Sequence, residues 1–358
     1  RLVTLAFAVL PLVLVGPVSA QDSVGVNRQL TSGFDGDRLP AAAYDPLRDE
    51  YMVVFLQVFG TSPGVYVQRV SAAGDTIGGR IPLGIAEGSF HRNRIAFSQT
   101  SRRFLVVCKA GTGNGGTVIG VLLNEDGTIA RPAFRIDNPR VLTDARGPDV
   151  VWRQAGDQFL VAWAWNDSYN ATAGVSAEVL SASDASRILD DVLVREEARG
   201  SFANASLAYR AAGDTYWLMY DSSNRVFGVG LDSGVAVQTP FIPFGNALEG
   251  GKQAPSVAWN SAGDEFVAVW QVMLSTDVSP FFQFIVQSQR FRPDGSFVGA
   301  IQDVTPRTSA PMATLPTVSH NPAAARFMVS FELDQNSYDT GVRVLDESGV
   351  PQGSVLAV

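Results

Sequence analysis

The feature that most constrains this chain is a motif that recurs six times, fullest in Ala258-Trp259-Asn260-Ser261-Ala262-Gly263-Asp264-Glu265-Phe266-Val267-Ala268-Val269-Trp270. Other copies join Tyr44 to Tyr51-Met52-Val53-Val54-Phe55, Phe97 to Phe104-Leu105-Val106-Val107-Cys108, and Trp152 to Phe159-Leu160-Val161-Ala162-Trp163. Two more join Tyr209 to Tyr216-Trp217-Leu218-Met219-Tyr220 and His320 to Phe327-Met328-Val329-Ser330-Phe331. The aromatic anchors recur every roughly 55 residues, a period of stacked supersecondary units.

Each copy has a physical reading. In Tyr51 to Phe55, odd and even residues point to opposite faces and both sets are apolar, so this strand is buried on both sides. The polar stretch before it is a hairpin turn from a short strand that ends at the anchor. An alternating strand follows, such as Val65 to Val70, and then a turn of the Asp126-Gly127 or Asp294-Gly295 kind. The fourth strand tolerates Pro82 because an outermost strand has a free edge. Four antiparallel strands per repeat, packed face to face in a ring, make an all-β propeller. Six blades are expected, near 39-90, 91-145, 146-200, 201-250, 251-310 and 311-358, with 21-38 a closing outer strand and seven blades the alternative. Ala182 to Arg199 reads as an irregular connection.

These copies resemble the propeller repeats of secreted bacterial proteins, in which an aromatic-Asn/Asp turn precedes an Asp-Glu-Tyr/Phe-Leu-Val-Val-Trp/Phe strand. The resemblance spans everything after Gln21. It implies an architecture and leaves activity open, because propellers host lectins, hydrolases, lyases and scaffolds. The turns at Asp126-Gly127 and Asp294-Gly295 lack the Ser and Trp that define sialidases.

Residues 1-20, apolar from Leu2 to Val18 and ending Val18-Ser19-Ala20, fit a signal peptide, which implies export to the periplasm or beyond and no membrane span after cleavage. The mature single domain is 21-358. A net charge of −8 argues against a nucleic-acid partner. The one cysteine, Cys108, stands where Phe55 and Trp163 stand in other copies and reads as a small core hydrophobe. His91 and His320 have no metal-binding spacing, and His320 replaces an aromatic anchor as a core residue. No cofactor is expected, and calcium is not indicated.

Two constellations stand out. Arg38, Arg92, Arg146 and Lys252 lie six, five, six and seven residues before their anchors, so equivalent blades would bring them to one face near the central opening, where they could hold a carboxylate or sulfate. The alternative pairs each with a nearby Asp, such as Asp37 or Asp144. Trp165 and Tyr169, in the stretch from Trp165 to Asn170, have the composition of a sugar-contacting loop. The expected function is a secreted, non-catalytic binding or scaffold propeller that engages a glycan or a surface protein. The alternatives are a polysaccharide-active hydrolase or lyase at the channel mouth, and self-assembly through blade edges. Phe55, Trp163, Tyr220 and Trp270 are expected in the core.

Overall fold

The computed structural model describes residues 37–58, 63–85, 92–111, 115–137, 143–198, 200–275, 282–307, 312–334 and 339–357. They form six sheets of four strands, each sheet taken in chain order. Blade 1 is β1 (Asp37–Asp45), β2 (Glu50–Gln57), β3 (Gly64–Ser71) and β4 (Thr76–Pro82). Blade 2 is β5 (Arg94–Ser98), β6 (Arg103–Ala110), β7 (Thr117–Asn124) and β8 (Ile129–Arg135). Blade 3 is β9 (Thr143–Arg153), β10 (Gln158–Asp167), β11 (Thr172–Ser181) and β12 (Arg187–Ala198). Blade 4 is β13 (Phe202–Arg210), β14 (Thr215–Ser222), β15 (Arg225–Leu231) and β16 (Ile242–Phe244). Blade 5 is β17 (Lys252–Asn260), β18 (Glu265–Ser275), β19 (Phe282–Phe291) and β20 (Phe297–Asp303). Blade 6 is β21 (Met312–Asn321), β22 (Arg326–Asp334), β23 (Asp339–Asp346) and β24 (Pro351–Ala357).

The chain is therefore an all-β, six-bladed propeller. Blade 6 has its own outer strand, with β24 antiparallel to β23. The signal peptide, His91 and residues 21-36 of the expected closing strand 21-38 lie outside the described residues; its last two, Asp37 and Arg38, instead begin β1, the inner strand of blade 1. Ala182 to Arg199 is not an irregular connection: Arg187–Ala198 is the outer strand of blade 3. Its many charges, which disguise it in sequence, suit an edge that faces water.

The second strands carry the core, and their two faces serve different interfaces. Met52, Val54 and Leu56 pack with Phe104, Val106 and Cys108 between blades 1 and 2, whereas Leu105 and Val107 pack with Phe159, Val161 and Trp163 between blades 2 and 3. Leu160 and Ala162 then meet Tyr216, Leu218 and Tyr220, and Trp217 and Met219 meet Phe266, Ala268 and Trp270. Phe55, Trp163, Tyr220 and Trp270 are all buried. So is Cys108, and burial pushes its thiol up to about 12, which leaves it inert at neutral pH. His320 is half-buried rather than core, as are the anchors Trp152, Tyr209 and Trp259, because an anchor stands at the end of its strand beside the turn; its ring lies 4.6 Å from that of Phe327, tilted by 41°.

The turn between first and second strands explains the anchors. It places one residue at positive φ in every blade: Asp49, Arg102, Asp157, Asp214, Asp264 and Ala325. Aspartate tolerates that left-handed geometry better than most residues. Where the anchor is Tyr or Trp, the residue is Asp and the anchor donates to it: Tyr44 Oη to Asp49 (2.6 Å), Trp152 Nε1 to Asp157 (2.9 Å), Tyr209 Oη to Asp214 (2.9 Å) and Trp259 Nε1 to Asp264 (3.3 Å). The Phe97 copy has Arg102 there instead, and the His320 copy has Ala325.

Candidate functional site at the channel mouth

Because the strands of a blade are antiparallel, the first-to-second and third-to-fourth turns share one face. The other face holds the second-to-third loops and the chain's entry into each inner strand. On that loop face five inner strands carry a bulge, at Arg38/Ala41, Arg146/Asp149, Phe202/Ala205, Gln253/Ser256 and Thr314/Thr317. Positive φ recurs just before a proline, at Leu39, Gly147, Ala254 and Leu315. Gly147 is required: a Cβ there would lie 2.6 Å from Ala203 O.

Aligning the blades on their anchors picks out two sets of equivalent positions, one on the first strands and one toward the loop-face ends of the second strands. Three residues before the anchor stand Ala41, Arg94, Asp149, Ser206, Ser256 and Thr317; five after the first aromatic of the second strand stand Leu56, Lys109, Ala164, Asp221, Gln271 and Glu332. Most of the polar members reach into the next blade. Asp149 Oδ2 accepts from Leu207 N (2.8 Å), Ser206 Oγ from Val257 N (3.3 Å) and Ser256 Oγ from Val318 N (3.2 Å). Asp221 accepts from Ala203 N and Asn204 N through Oδ1 and from Asn204 Nδ2 and Ala254 N through Oδ2, all at 2.8–3.1 Å. Gln271 Oε1 accepts from Leu315 N (3.0 Å). These buried side chains supply acceptors that the bulged backbone lacks.

Arg92 crosses this girdle. It is buried, and its Nη1 donates to Pro255 O of the opposite blade at 3.3 Å, while Nη2 has no partner. Burial pulls its guanidinium down to about 10, assisted by Arg94 and resisted by Asp221, Asp149 and Glu332. Burial also raises the Asp149 carboxyl, against the pull of Arg94, whose Nε lies 3.4 Å away.

The other expected cations have different surroundings. Lys252 is buried and its Nζ donates to Glu249 O and Gly250 O, both at 3.2 Å. Burial lowers its ammonium pKa. Arg146 Nε donates to Asp144 (2.6 Å), which also holds Lys109 at 2.7 Å. Burial pushes the Asp144 carboxyl up, but Lys109 and Arg146 outweigh it and hold it below its ordinary value. The Arg38 side chain lies outside the described residues. Trp165 is not on a loop: it is a buried strand residue whose Nε1 donates to Ser176 Oγ at 3.1 Å. The strand continues past it to Asp167, which caps a tight turn through Tyr169 N (2.9 Å) and Asn170 N (3.1 Å). Tyr169 is 79% exposed on that turn, so the two rings do not form one surface.

Sequence reasoning missed Asp149, Asp221, Gln271 and Glu332. Their signal is present in the copies, as polar or charged residues recurring at two fixed offsets from the anchor and the second-strand aromatic, with only Ala41, Leu56 and Ala164 apolar there. Among the described residues no group of three or more His, Cys, Asp or Glu is arranged to hold a metal, and no helix is long and apolar enough to cross a membrane.

No protein-family model matches the chain. No curated protein matches it either. Solved structures do. A protein of unknown function from Dyadobacter fermentans superposes with a TM-score of 0.61 at 9% identity, over 86% of this chain and 93% of that one. An α-L-arabinanase from Penicillium chrysogenum complexed with arabinobiose gives 0.56 at 11%, over 87% and 93%. The periplasmic gluconolactonase of Pseudomonas aeruginosa gives 0.50 at 15%, over 88% and 84%. At these identities the chain shares with them a propeller fold, and the likeness shows the fold alone.

Proposed function

We propose that this protein is an exported, non-catalytic binding propeller that engages a glycan or a protein through its loop face. The observation that carries the reading is the occupation of the channel mouth. Asp149 and Asp221 accept backbone N–H groups at both oxygens, and Arg92 reaches across to Pro255. A hydrolase needs a carboxylate free to take or give a proton at a substrate atom. Carboxylates tied to backbone donors on every oxygen hold blades together instead. On the same loop face Tyr169, Leu248 and Phe282 are 79%, 94% and 50% exposed, large apolar groups of the kind that stack on sugars or dock on a partner.

A second reading, a polysaccharide-active hydrolase, is favoured by one arrangement: Asp149, Asp221 and Glu332 come from three blades and all act on Arg92. The fold likeness to the arabinanase agrees with that reading without adding a residue to it. Thermal-shift screening of the chain from Gln21 against neutral, uronic and sulfated oligosaccharides tests both. A ligand at about a hundred times its Kd adds about 2.7 kcal/mol. A shift without product in the same tubes supports binding alone; released sugar overturns the non-catalytic reading. No shift with any sugar removes the glycan branch and directs the test to protein partners.

A further inference from the structure

Four of the six third strands carry a polar side chain at one register: Gln68 opposite Val53, Glu178 opposite Val161, Gln289 opposite Ala268 and Arg343 opposite Val329. Each sits where pairing with the outer strand breaks. Three of them give hydrogens to outer-strand carbonyls at that break. Gln68 Nε2 donates to Ile77 O (3.0 Å), Gln289 Nε2 to Val298 O (3.2 Å) and Gly299 O (3.1 Å), and Arg343 Nη2 to Gly353 O (2.8 Å).

Glu178 is the fourth. It is 0% exposed; Oε1 accepts from Arg187 Nε at 2.9 Å, and Oε2 is buried with no partner. An ionised carboxylate has no hydrogen to give at a position where the other copies supply one, and a charged oxygen left buried and unpaired is costly.

We propose that Glu178 is held as the neutral acid in the folded protein, its Oε2–H standing in for the amide hydrogens of Gln68 and Gln289, so that the outer strand of blade 3 is latched by a proton. The charged groups around it agree. Arg187, on β12, pulls toward ionisation, but it divides its hydrogens among Glu178, Arg135 O (3.1 Å), Ile136 O (2.8 Å) and Asp190 (3.5 Å). Asp190 and Asp191, also on β12, oppose ionisation. β10 presents only Val161 directly opposite, and on β8 Arg135 is already paired with Asp137. Burial, the largest influence, pushes the carboxyl up to about 8.

The sign follows from linkage. An unfolded Glu titrates near about 4.3, so between there and about pH 8 the folded state binds the extra proton. Stability from this group therefore falls as pH rises through that window, and levels off above it. Glu178→Gln supplies the hydrogen permanently. Thermal unfolding of the full chain and of E178Q, followed from about pH 5 to about pH 9, should show the variant gaining on the parent by several degrees as pH rises. A gap that does not change with pH overturns the proposal. Should E178Q not fold, difference infrared spectroscopy of the parent decides: a protonated-carboxyl band at neutral pH that titrates away near pH 8 supports it, and no such band overturns it.

Discussion

Arg153 of blade 3 grips Asp214 of blade 4 with two parallel hydrogen bonds, Nε to Oδ1 at 2.7 Å and Nη2 to Oδ2 at 2.6 Å, while Tyr209 donates to the same carboxylate. Arg210 repeats the grip on Asp264 of blade 5, at 2.6 Å for both bonds. At the interface before them Ser98 takes the arginine's place, donating to Asp157. The same aspartate thus fixes its own turn and the seam to the preceding blade.

For Arg153→Ala with Asp214→Asn, a double-mutant cycle should give a coupling near 1 kcal/mol. Bidentate geometry favours a larger value, but Asp214 is a third exposed and solvent screens the pair. Urea unfolding of the four proteins measures it.

Acid should loosen these seams. Arg153 holds the Asp214 carboxyl below its ordinary value, and Arg210 does the same for Asp264. Depressed carboxyls contribute stability that is complete above about pH 4 and lost as pH falls through their folded values. Asp214→Asn with Asp264→Asn should lower stability at neutral pH and flatten the acid limb of a Tm-against-pH curve.

Trp270→Ala should cost roughly 3–5 kcal/mol by lost transfer energy and the cavity left behind. Trp270 is fully buried, edge-on to Phe244 at 6.1 Å. A denaturant midpoint equal to the parent's would refute its placement.

Asp221→Asn should destabilise by at least about 2 kcal/mol, since an amide nitrogen would face backbone N–H groups now satisfied by an oxygen. Chemical unfolding checks it, and proteolysis should cut first at the loop face of blades 4 and 5.

Trp165 and Tyr169 should separate cleanly. Trp165→Ala should lower Tm as a core truncation, whereas Tyr169→Ala should leave stability within about 0.5 kcal/mol and change only ligand or partner binding. Differential scanning fluorimetry with and without a bound ligand reads both effects.

The blades were legible because burial on both faces writes itself into consecutive apolar residues, as in Val267 to Trp270. The turns were legible from Asp and Gly at fixed offsets. Blade 3's outer strand was hidden because an edge strand answers to water on one side, so its charges mimic a loop. Trp165 was misread because composition alone does not say where a strand ends; Asp167 does, by capping the turn. Asp149 and Asp221 escaped because they look like ordinary surface carboxylates until the copies are superposed on their anchors.

The bond from Arg92 to Pro255 joins blades that are not neighbours. An open solenoid transmits strain only from one repeat to the next; this ring has a strut across its diameter. A chain divided between blades 3 and 4 would leave the arginine on one half and its acceptor on the other, so reassembly of the two fragments would depend on the strut as well as on the cut seam.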